Sequence, residues 1–306
     1  RIHSSHNQCA TNTRRASSSA PNFQQLPKSM KIEGQAARFR EVLIPHKKNA
    51  VIVSMDFEAQ ELRVIADYSR DQNMLDCFVG DQLKDMHALT GFGIAKSKDP
   101  EMNWNYDMFM EALHDKTNPQ HKFVKECRTL GKKVNFTTEY GAMAPKVAMT
   151  LLVSEEDAQA FIDAKENAFP RSLEWKQEVV AEAKTVGYVR TKLGAVRHLQ
   201  PAFTSSDRYE NSKAERQAVN TEIQGSSAEM TKRAEGRMYK ARLEQLFDCE
   251  IIGPIHDEVI ASVMIDDLYG FIPAKHPFLN FPFYRLSTFS CYLQCSKAIC
   301  PYASTW

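Results

Sequence analysis

Two aspartates occupy positions where predicted strands end. Asp56 closes the apolar, β-branched run AVIVSMD (50–56), and Asp257 lies between the runs CEIIGPI and VIASV. Such runs predict buried strands, so one carboxylate falls at a strand end and the other at the tip of a hairpin. Carboxylate oxygens are ligands that hard cations such as Mg²⁺ prefer. Two acids far apart in sequence could equally be solvated or salt-bridged surface residues, so residue types alone leave both interpretations open.

A second pattern combines cations with aromatic rings. In RTLGKKVNFTTEYG (128–141), Arg128, Lys132, Phe136 and Tyr140 recur every four residues, a spacing that lays them along one side of a helix. The cations could pair with the oxygens of a triphosphate, and the rings could stack on a base and sugar. The alternative is an amphipathic core helix whose cations extend to solvent.

The elements around these residues can be predicted from periodicity. Leu62, Ile65 and Ala66 follow the first strand at helical spacing, which predicts a strand–turn–helix unit with Asp56 and Glu61 around its turn. From about residue 82 the pattern is mostly helical. A short hairpin is predicted over 187–199 and a long amphipathic helix over about 214–247.

Composition excludes several classes of protein. The chain has 306 residues, 43% of them hydrophobic, and a net charge of +1. The apolar run near 147–153 is too short to span a bilayer, so no membrane role is predicted. Seven cysteines without CxxC pairs predict reduced thiols and a cytoplasmic setting. Because the overall charge gives no attraction for nucleic acid, local pairs such as Arg14 with Arg15 must supply it. The N-terminal segment is polar and does not begin with Met, so we expect the chain to be part of a longer protein.

The ordered motifs resemble those of one enzyme family. VSMDFEAQELRVIADYSRD (53–71), RTLGKKVNFTTEYG (128–141) and IIGPIHDEVIAS (251–262) resemble motifs A, B and C of family A DNA polymerases, in that order. SSSAPNFQQLP, Asp85 with His87, GYVRTKLGAVRHL and ERQAVNTEIQGSSAEM add further similarity, over roughly residues 11–265. Agreement of so many ordered motifs is far more specific than a lone HDE.

The resemblance implies an α+β fold, in which a polymerase palm of antiparallel strands and helices carries an inserted helical fingers subdomain. We expect the palm over 11–85 and 206–273, with the motif C hairpin at 249–264. The fingers are expected over 86–205, with the motif B helix at 126–142. No thumb or 3′–5′ exonuclease domain is expected within the chain. The tail over 274–306 has no Asp or Glu and shows no periodicity over most of its length, so we expect a foreign or frame-shifted segment without a native fold. A buried cysteine-rich terminus is the alternative.

The resemblance also implies roles for individual residues. Asp56, Asp257 and the carbonyl of Phe57 are expected to bind two Mg²⁺ ions, and Lys132 is the expected acid for the leaving pyrophosphate. The nucleotide is expected to contact Glu61, His87, Arg128, Lys132, Phe136 and Tyr140, with Glu61 blocking a ribose 2′-hydroxyl and Tyr140 at the entry of the templating base. Primer-template DNA is expected at Arg15, Arg216, Asn220, Gln224 and His256. For His256, a structural turn histidine is the alternative.

Some residues depart from the usual family pattern. Phe57, Glu58, Ala59 and Gln60 replace the usual Tyr, Ser, Gln and Ile, and Thr137 replaces a glycine. These departures resemble phage enzymes, so we expect a bacterial or phage-infected host cell; no processivity factor can be named. A single-subunit RNA polymerase and a non-catalytic nucleic-acid-binding fragment are the alternatives. Glu61 and Phe136 argue against the first.

Overall fold

The computed structural model describes residues 3–25, 30–32, 35–37, 43–81, 83–139, 141–274 and 289–294. The chain divides into two compact units. One, which we call the sheet unit, comprises residues 1–64, 190–195 and 221–306. The other, the helical unit, comprises residues 65–189 and 196–220.

All strands pair antiparallel where a register is defined. They are β1 (Ser5–Asn7), β2 (Ser17–Ser19), β3 (Met30–Ile32), β4 (Gln35–Ala37), β5 (Ala50–Phe57), β6 (Tyr188–Arg190), β7 (Val196–His198), β8 (Cys249–Ile255), β9 (Glu258–Met264) and β10 (Phe289–Gln294). The main sheet has the order β10-β5-β9-β8, and β1-β2, β3-β4 and β6-β7 form two-stranded sheets.

Helices make up most of the remaining structure. They are α1 (Gln60–Ser69), α2 (Gln72–Leu75), α3 (Met86–Lys98), α4 (Tyr106–His114), α5 (His121–Thr138), α6 (Ala144–Leu151), α7 (Glu155–Ala168), α8 (Pro170–Val186), α9 (Gln200–Phe203), α10 (Arg208–Asn220), α11 (Ser226–Lys240), α12 (Leu243–Leu246) and α13 (Leu268–Ala274). Among the described residues, no helix has the length and apolar content that crossing a membrane requires.

The two central strands form the core of the main sheet. Val53, Met55, Val259, Ala261 and Val263 are fully buried, and both β5 and β9 are buried along nearly their whole length. A continuous apolar run rather than strict alternation is typical of a strand covered on both faces. The predicted strand–turn–helix unit and the predicted hairpin are therefore confirmed as β5–α1 and β8–β9.

The backbone of the tail contributes an edge strand. Residues Phe289–Gln294 form β10, which pairs antiparallel with Ile52–Phe57, although sequence periodicity predicted no strand there. Backbone hydrogen bonds do not depend on side-chain pattern, so the unpaired edge of a strand such as β5 can accept a segment without strand periodicity.

Two glycines allow helices α3 and α5 of the helical unit to cross closely. A Cβ added to Gly131 of α5 would lie 2.5 Å from the carbonyl oxygen of His87, and one added to Gly91 of α3 would lie 2.7 Å from Cα of Arg128. Only glycine allows this approach of two backbones. The crossing therefore fixes the positions of Arg128, Lys132 and Phe136 on α5 relative to α3.

The predicted long helix over 214–247 is confirmed as far as Lys240, with a π-helical turn inside it, and is wrong beyond that residue. Helix α10 ends at Asn220, a π-helical turn spans Thr221–Gly225, and α11 follows. Arg242, at φ 56°, then separates α11 from α12. A Cβ on Gly225 would lie 2.7 Å from Cγ2 of Thr191, so the π-helical turn passes close to this side chain.

The two units do not begin and end at the expected palm and fingers boundaries, which stay predictions. Residues 65–85 and 206–220 belong to the helical unit. There Tyr68 stacks on Trp175 with ring centroids 5.3 Å apart. Asp71 accepts from the backbone N–H groups of Arg171 and Ser172 at 3.0 and 3.2 Å. These contacts explain why the segment after residue 64 groups with α8.

Candidate active site

The predicted metal-binding carboxylates lie at neighbouring register positions of the main sheet. Asp56 is the second-last residue of β5, and its Cα partner on β9 is Glu258. Asp257 immediately precedes Glu258 and occupies the two-residue turn between β8 and β9. Both aspartates are half-buried. The fold thus brings together the two acids that are far apart in sequence.

Glu258 is a third carboxylate beside this pair. It is 3% exposed, and the hydroxyl of Ser54, two residues before Asp56 on β5, donates to it. A buried carboxylate needs such a donor, because desolvation without a partner is costly. Glu258 is thereby held against β5 at the strand pair that carries Asp56.

Gln24 holds the turn that carries Asp257. Its side-chain amide donates to the carbonyl of Pro254 at 2.6 Å and its Oε1 accepts from the backbone N–H of His256 at 2.7 Å. Gln24 is buried. Sequence reasoning assigned it no role, although it lies in SSSAPNFQQLP, a segment that carried part of the resemblance.

His256 is exposed and has a φ of 60°, the left-handed region. An L-residue in this conformation costs roughly 1–2 kcal/mol relative to a right-handed one, although histidine tolerates it better than most. Backbone strain of this kind is common at functional sites, so it is a reason to test the His256 side chain for a functional role.

Glu61 lies at the second position of α1. The guanidinium of Arg15 donates to its carboxylate, so two residues predicted to contact different substrates are joined to each other. Both side chains are partly buried, which strengthens such a charge-assisted contact relative to a surface pair.

The chemistry of this donor set fits magnesium. Two half-buried carboxylates at adjacent register positions, with the backbone of Phe57 next to one of them, offer hard oxygen ligands. Among the described residues there is no group of three or more His, Cys, Asp or Glu side chains arranged to hold a metal.

In the helical unit, Asp85 joins the start of α3 to Arg128 of α5. Its Oδ1 accepts from the N–H groups of His87 and Ala88 at 2.9 Å each, which is N-capping of α3. Its Oδ2 accepts from Nε and Nη2 of Arg128 at 2.8 and 2.7 Å. Burial alone would raise the pKa of Asp85, but the Ala88 N–H and Arg128 hold it below its usual value.

His87 lies beside this pair and is held in neutral form. Burial, Arg128 and Lys132 lower its pKa, against the opposing effect of Asp85. The amide nitrogen of Asn135 lies 3.2 Å from Nδ1 of His87, and the oxygen of the same amide accepts from Thr90. The amide nitrogen must therefore donate, and Nδ1 must accept.

The predicted row of cationic and aromatic side chains lies on α5, as far as the structure describes these residues. Arg128, Lys132 and Phe136 lie within His121–Thr138, and the ring of Phe136 is 5.6 Å from that of His87. Nζ of Lys132 lies 6.0 Å from the centroid of the Phe136 ring. Phe136 is 55% exposed, which disagrees with the alternative of a core helix face at this position. Tyr140 lies outside the described residues.

The predicted DNA-contacting residues fall into both units. Arg15, Gln224 and His256 belong to the sheet unit, with Gln224 in the π-helical turn. Arg216 and Asn220 lie one turn apart on α10 of the helical unit, and both are half-buried. Nη1 of Arg216 donates to the hydroxyl of Ser212 at 2.8 Å.

Comparison with known proteins shows the family of this chain. Residues 1–273 match the model of DNA polymerase family A. DNA polymerase I of Bacillus subtilis (strain 168) is 32% identical over 260 residues, which cover 85% of this chain and 26% of that protein. The thermostable DNA polymerase I of Thermus aquaticus is 30% identical over 260 residues, 85% of this chain and 28% of that one. The chain thus spans about a quarter of the length of these relatives.

A solved structure has a similar fold. The polymerase (POL) domain of Pol1 from M. smegmatis, in complex with DNA primer-template and dNTP, superposes with a TM-score of 0.77 at 26% identity, covering 95% of this chain and 47% of that one. The expected α+β fold with an antiparallel sheet is confirmed. The chain belongs to DNA polymerase family A.

Proposed function

We propose that this chain is the polymerising core of a template-directed DNA polymerase, which transfers deoxynucleotides from dNTPs to a primer 3′-hydroxyl. The observation that carries the proposal is the register of β5 and β9, which sets Asp257 next to the strand partner of Asp56. The family match and the resemblance to a polymerase domain solved with primer-template and dNTP support it.

Asp56 and Asp257, with the carbonyl of Phe57, would hold two Mg²⁺ ions. When bound, such a pair lowers the pKa of the primer hydroxyl and stabilises charge on the leaving pyrophosphate. The protein's contribution is to hold both carboxylates on one rigid sheet, with Gln24 fixing the turn that carries Asp257.

The nucleotide would bind along α5. Arg128 and Lys132 bind the triphosphate oxygens, and Lys132, whose ammonium can give up a proton, protonates the leaving pyrophosphate. His87 stays neutral beside them and adds a hydrogen bond. Phe136 lies against the sugar and base, and Tyr140 receives the templating base.

Sugar and strand selection would use the remaining residues. Glu61 occupies the space of a 2′-hydroxyl, and Arg15, through its contact with Glu61, links the primer to that pocket. Arg216, Asn220, Gln224 and His256 line the primer-template, where polar side chains can read the minor groove. The departures in motif A favour a phage-type enzyme working in the cytoplasm of a bacterial or phage-infected cell.

Primer extension by the 306-residue chain is the direct test. A labelled primer annealed to a template is incubated with Mg²⁺ and with either four dNTPs or four rNTPs. Extension with dNTPs alone supports the proposal, extension with rNTPs alone supports an RNA polymerase, and binding without extension supports a non-catalytic fragment. The Asp56→Asn variant is the control for contaminating polymerase activity.

A further inference from the structure

A buried glutamine stands at the first position of α1. Gln60 is 4% exposed, and its side-chain amide donates to the carbonyl of Ser227 at 3.2 Å and to the hydroxyl of Thr231 at 3.3 Å. Thr231 also donates to the carbonyl of Ser227 at 3.3 Å. These three polar groups hydrogen-bond to one another and so connect the start of α1 to α11.

This contact lies at a point of backbone change. Strand β5 ends at Phe57, Ala59 adopts a φ of 49°, and α1 begins at Gln60. An apolar residue, such as the isoleucine that is usual at this position of motif A, would fill the buried space but would make no directional contact. Gln60 instead makes directional hydrogen bonds to α11, and such bonds specify one arrangement more strictly than packing does.

The residue that follows is Glu61. Its carboxylate is held by Arg15, while its backbone is held through Gln60 one position earlier. Exclusion of a hydroxyl by a carboxylate depends on the position of that carboxylate to a fraction of an ångström, since an error of about 1 Å in an active site can cost about 10²-fold.

We propose that Gln60 is a positioning residue for sugar selection, which acts by anchoring Glu61 to Ser227 and Thr231 of α11. The inference rests on the proposed function, because it assigns to Glu61 the exclusion of ribonucleotides. Gln60 itself does not touch the nucleotide.

The test measures kcat/KM for a deoxynucleotide and for the matching ribonucleotide in four proteins: the 306-residue chain, Gln60→Leu, Glu61→Ala and the double variant. Leucine is close to glutamine in volume, and Thr231 keeps its bond to Ser227, so Gln60→Leu should fold. Gln159→Leu is the matched control, since Gln159 also donates its amide within the chain, to Asp163 at 2.7 Å. Thr231→Val, which removes one acceptor of the Gln60 amide, provides the same test by a second route.

We expect Gln60→Leu to lower the deoxy-to-ribo ratio by about threefold or more, and to have no further effect in the Glu61→Ala background. An unchanged ratio in Gln60→Leu with a lowered ratio in Glu61→Ala overturns the inference and leaves the proposed function intact. An equal loss in the Glu61→Ala background overturns it too, because Gln60 would then act without Glu61. If Glu61→Ala has no effect, the assigned role of Glu61 and the inference fall together.

Amide hydrogen exchange supplies a readout that needs no polymerase activity. Exchange at the Arg63 amide, which donates to the carbonyl of Ala59 at 3.0 Å, should accelerate in Gln60→Leu and not in Gln159→Leu. Unchanged exchange would show that Gln60 does not anchor this turn, whatever the chain does with nucleotides.

Discussion

Glu258 is the cross-strand partner of Asp56, and Asp257 is the residue immediately before it. This relationship places both predicted metal ligands at one end of the sheet. A slip of one residue between β5 and β9 would turn every side chain of β9 to the opposite face and give Asp56 a different cross-strand partner. The apolar strands therefore fix the position of the carboxylates through their register.

The first prediction concerns these two carboxylates. Asp56→Asn and Asp257→Asn each remove one negative charge from the proposed Mg²⁺ site, so primer extension should fall by at least about 10³-fold, as expected for loss of metal-assisted chemistry. Affinity for primer-template should change little, because neither residue is assigned to DNA. Asp266→Asn is the matched control: it makes the same change at an exposed position after the opposite end of β9. Substantial extension by either active-site variant would contradict the assignment.

The second prediction uses two glycines with opposite surroundings. Gly131→Ala forces a Cβ to within 2.5 Å of the His87 carbonyl and should lower the free energy of unfolding by about 1–3 kcal/mol, as overpacking does. Gly236→Ala, on the exposed side of α11 with no atom within 4 Å of the added Cβ, should raise it by about 0.5–1 kcal/mol. Denaturant unfolding of both variants measures the difference. Equal effects would show that α3 and α5 do not cross as closely as described.

Local features of the site could be predicted from sequence. The β5–α1 unit follows from an apolar run of strand length followed by helical spacing, and the β8–β9 hairpin from two apolar runs around a short polar turn. Such patterns act within a few residues, so periodicity detects them. The row from Arg128 to Phe136 was predicted for the same reason.

Contacts between distant segments could not be predicted in this way. Gln24 bridges the β8–β9 turn from far along the chain, Arg15 binds Glu61, and Asp85 binds Arg128. Each depends on how elements pack, which periodicity does not encode. The π-helical turn, where Gly225 lies close to Thr191, was not predicted from periodicity either. Asp85 had a sequence signal, since it was part of the resemblance, but that signal did not indicate its partner.

The third prediction separates the two interpretations of His256. If it is only a turn residue, His256→Gly should be harmless, because glycine adopts a φ near 60° without steric cost. If its exposed side chain contacts DNA, His256→Gly should weaken primer-template binding several-fold without lowering the free energy of unfolding. Fluorescence anisotropy at two salt concentrations measures the binding, and thermal unfolding measures the stability. Unchanged affinity would leave His256 as a turn residue.

The fourth prediction concerns the pKa of His87. Its folded pKa lies below the ordinary 6.5 because of burial, Arg128 and Lys132. Between the two values the unfolded chain binds more protons, so the free energy of unfolding should fall as pH decreases from 6.5 towards the folded pKa, and then level off. His87→Gln should lack this dependence. The pKa itself is measured by NMR titration of the imidazole, where Lys132→Gln should raise it and Asp85→Asn should lower it further. A pKa at or above 6.5 would contradict the neutral histidine.

The last prediction concerns sugar selection at Phe136. The ring is 55% exposed and lies beside His87, where the sugar of a bound nucleotide is proposed to lie. A phenylalanine ring offers no hydrogen bond, so a dideoxynucleotide, which lacks the 3′-hydroxyl and its contact with the nucleotide's own phosphate, should be used poorly. Phe136→Tyr supplies a phenolic oxygen in its place. One such hydrogen bond to a charged group is worth roughly 1.5–3 kcal/mol, about tenfold or more in selectivity.

The measurement is the ratio of dideoxy to deoxy incorporation on one template by the unmodified chain and by Phe136→Tyr. Phe123→Tyr is the matched control, since it adds the same hydroxyl to the same helix, at a partly buried residue packed against the hydrophobic core. We expect the ratio to rise in Phe136→Tyr alone. If it rises in neither variant, Phe136 does not line the nucleotide pocket, and its exposure on α5 needs another explanation. A rise in both would mean that the added hydroxyl acts on the helix rather than on the sugar.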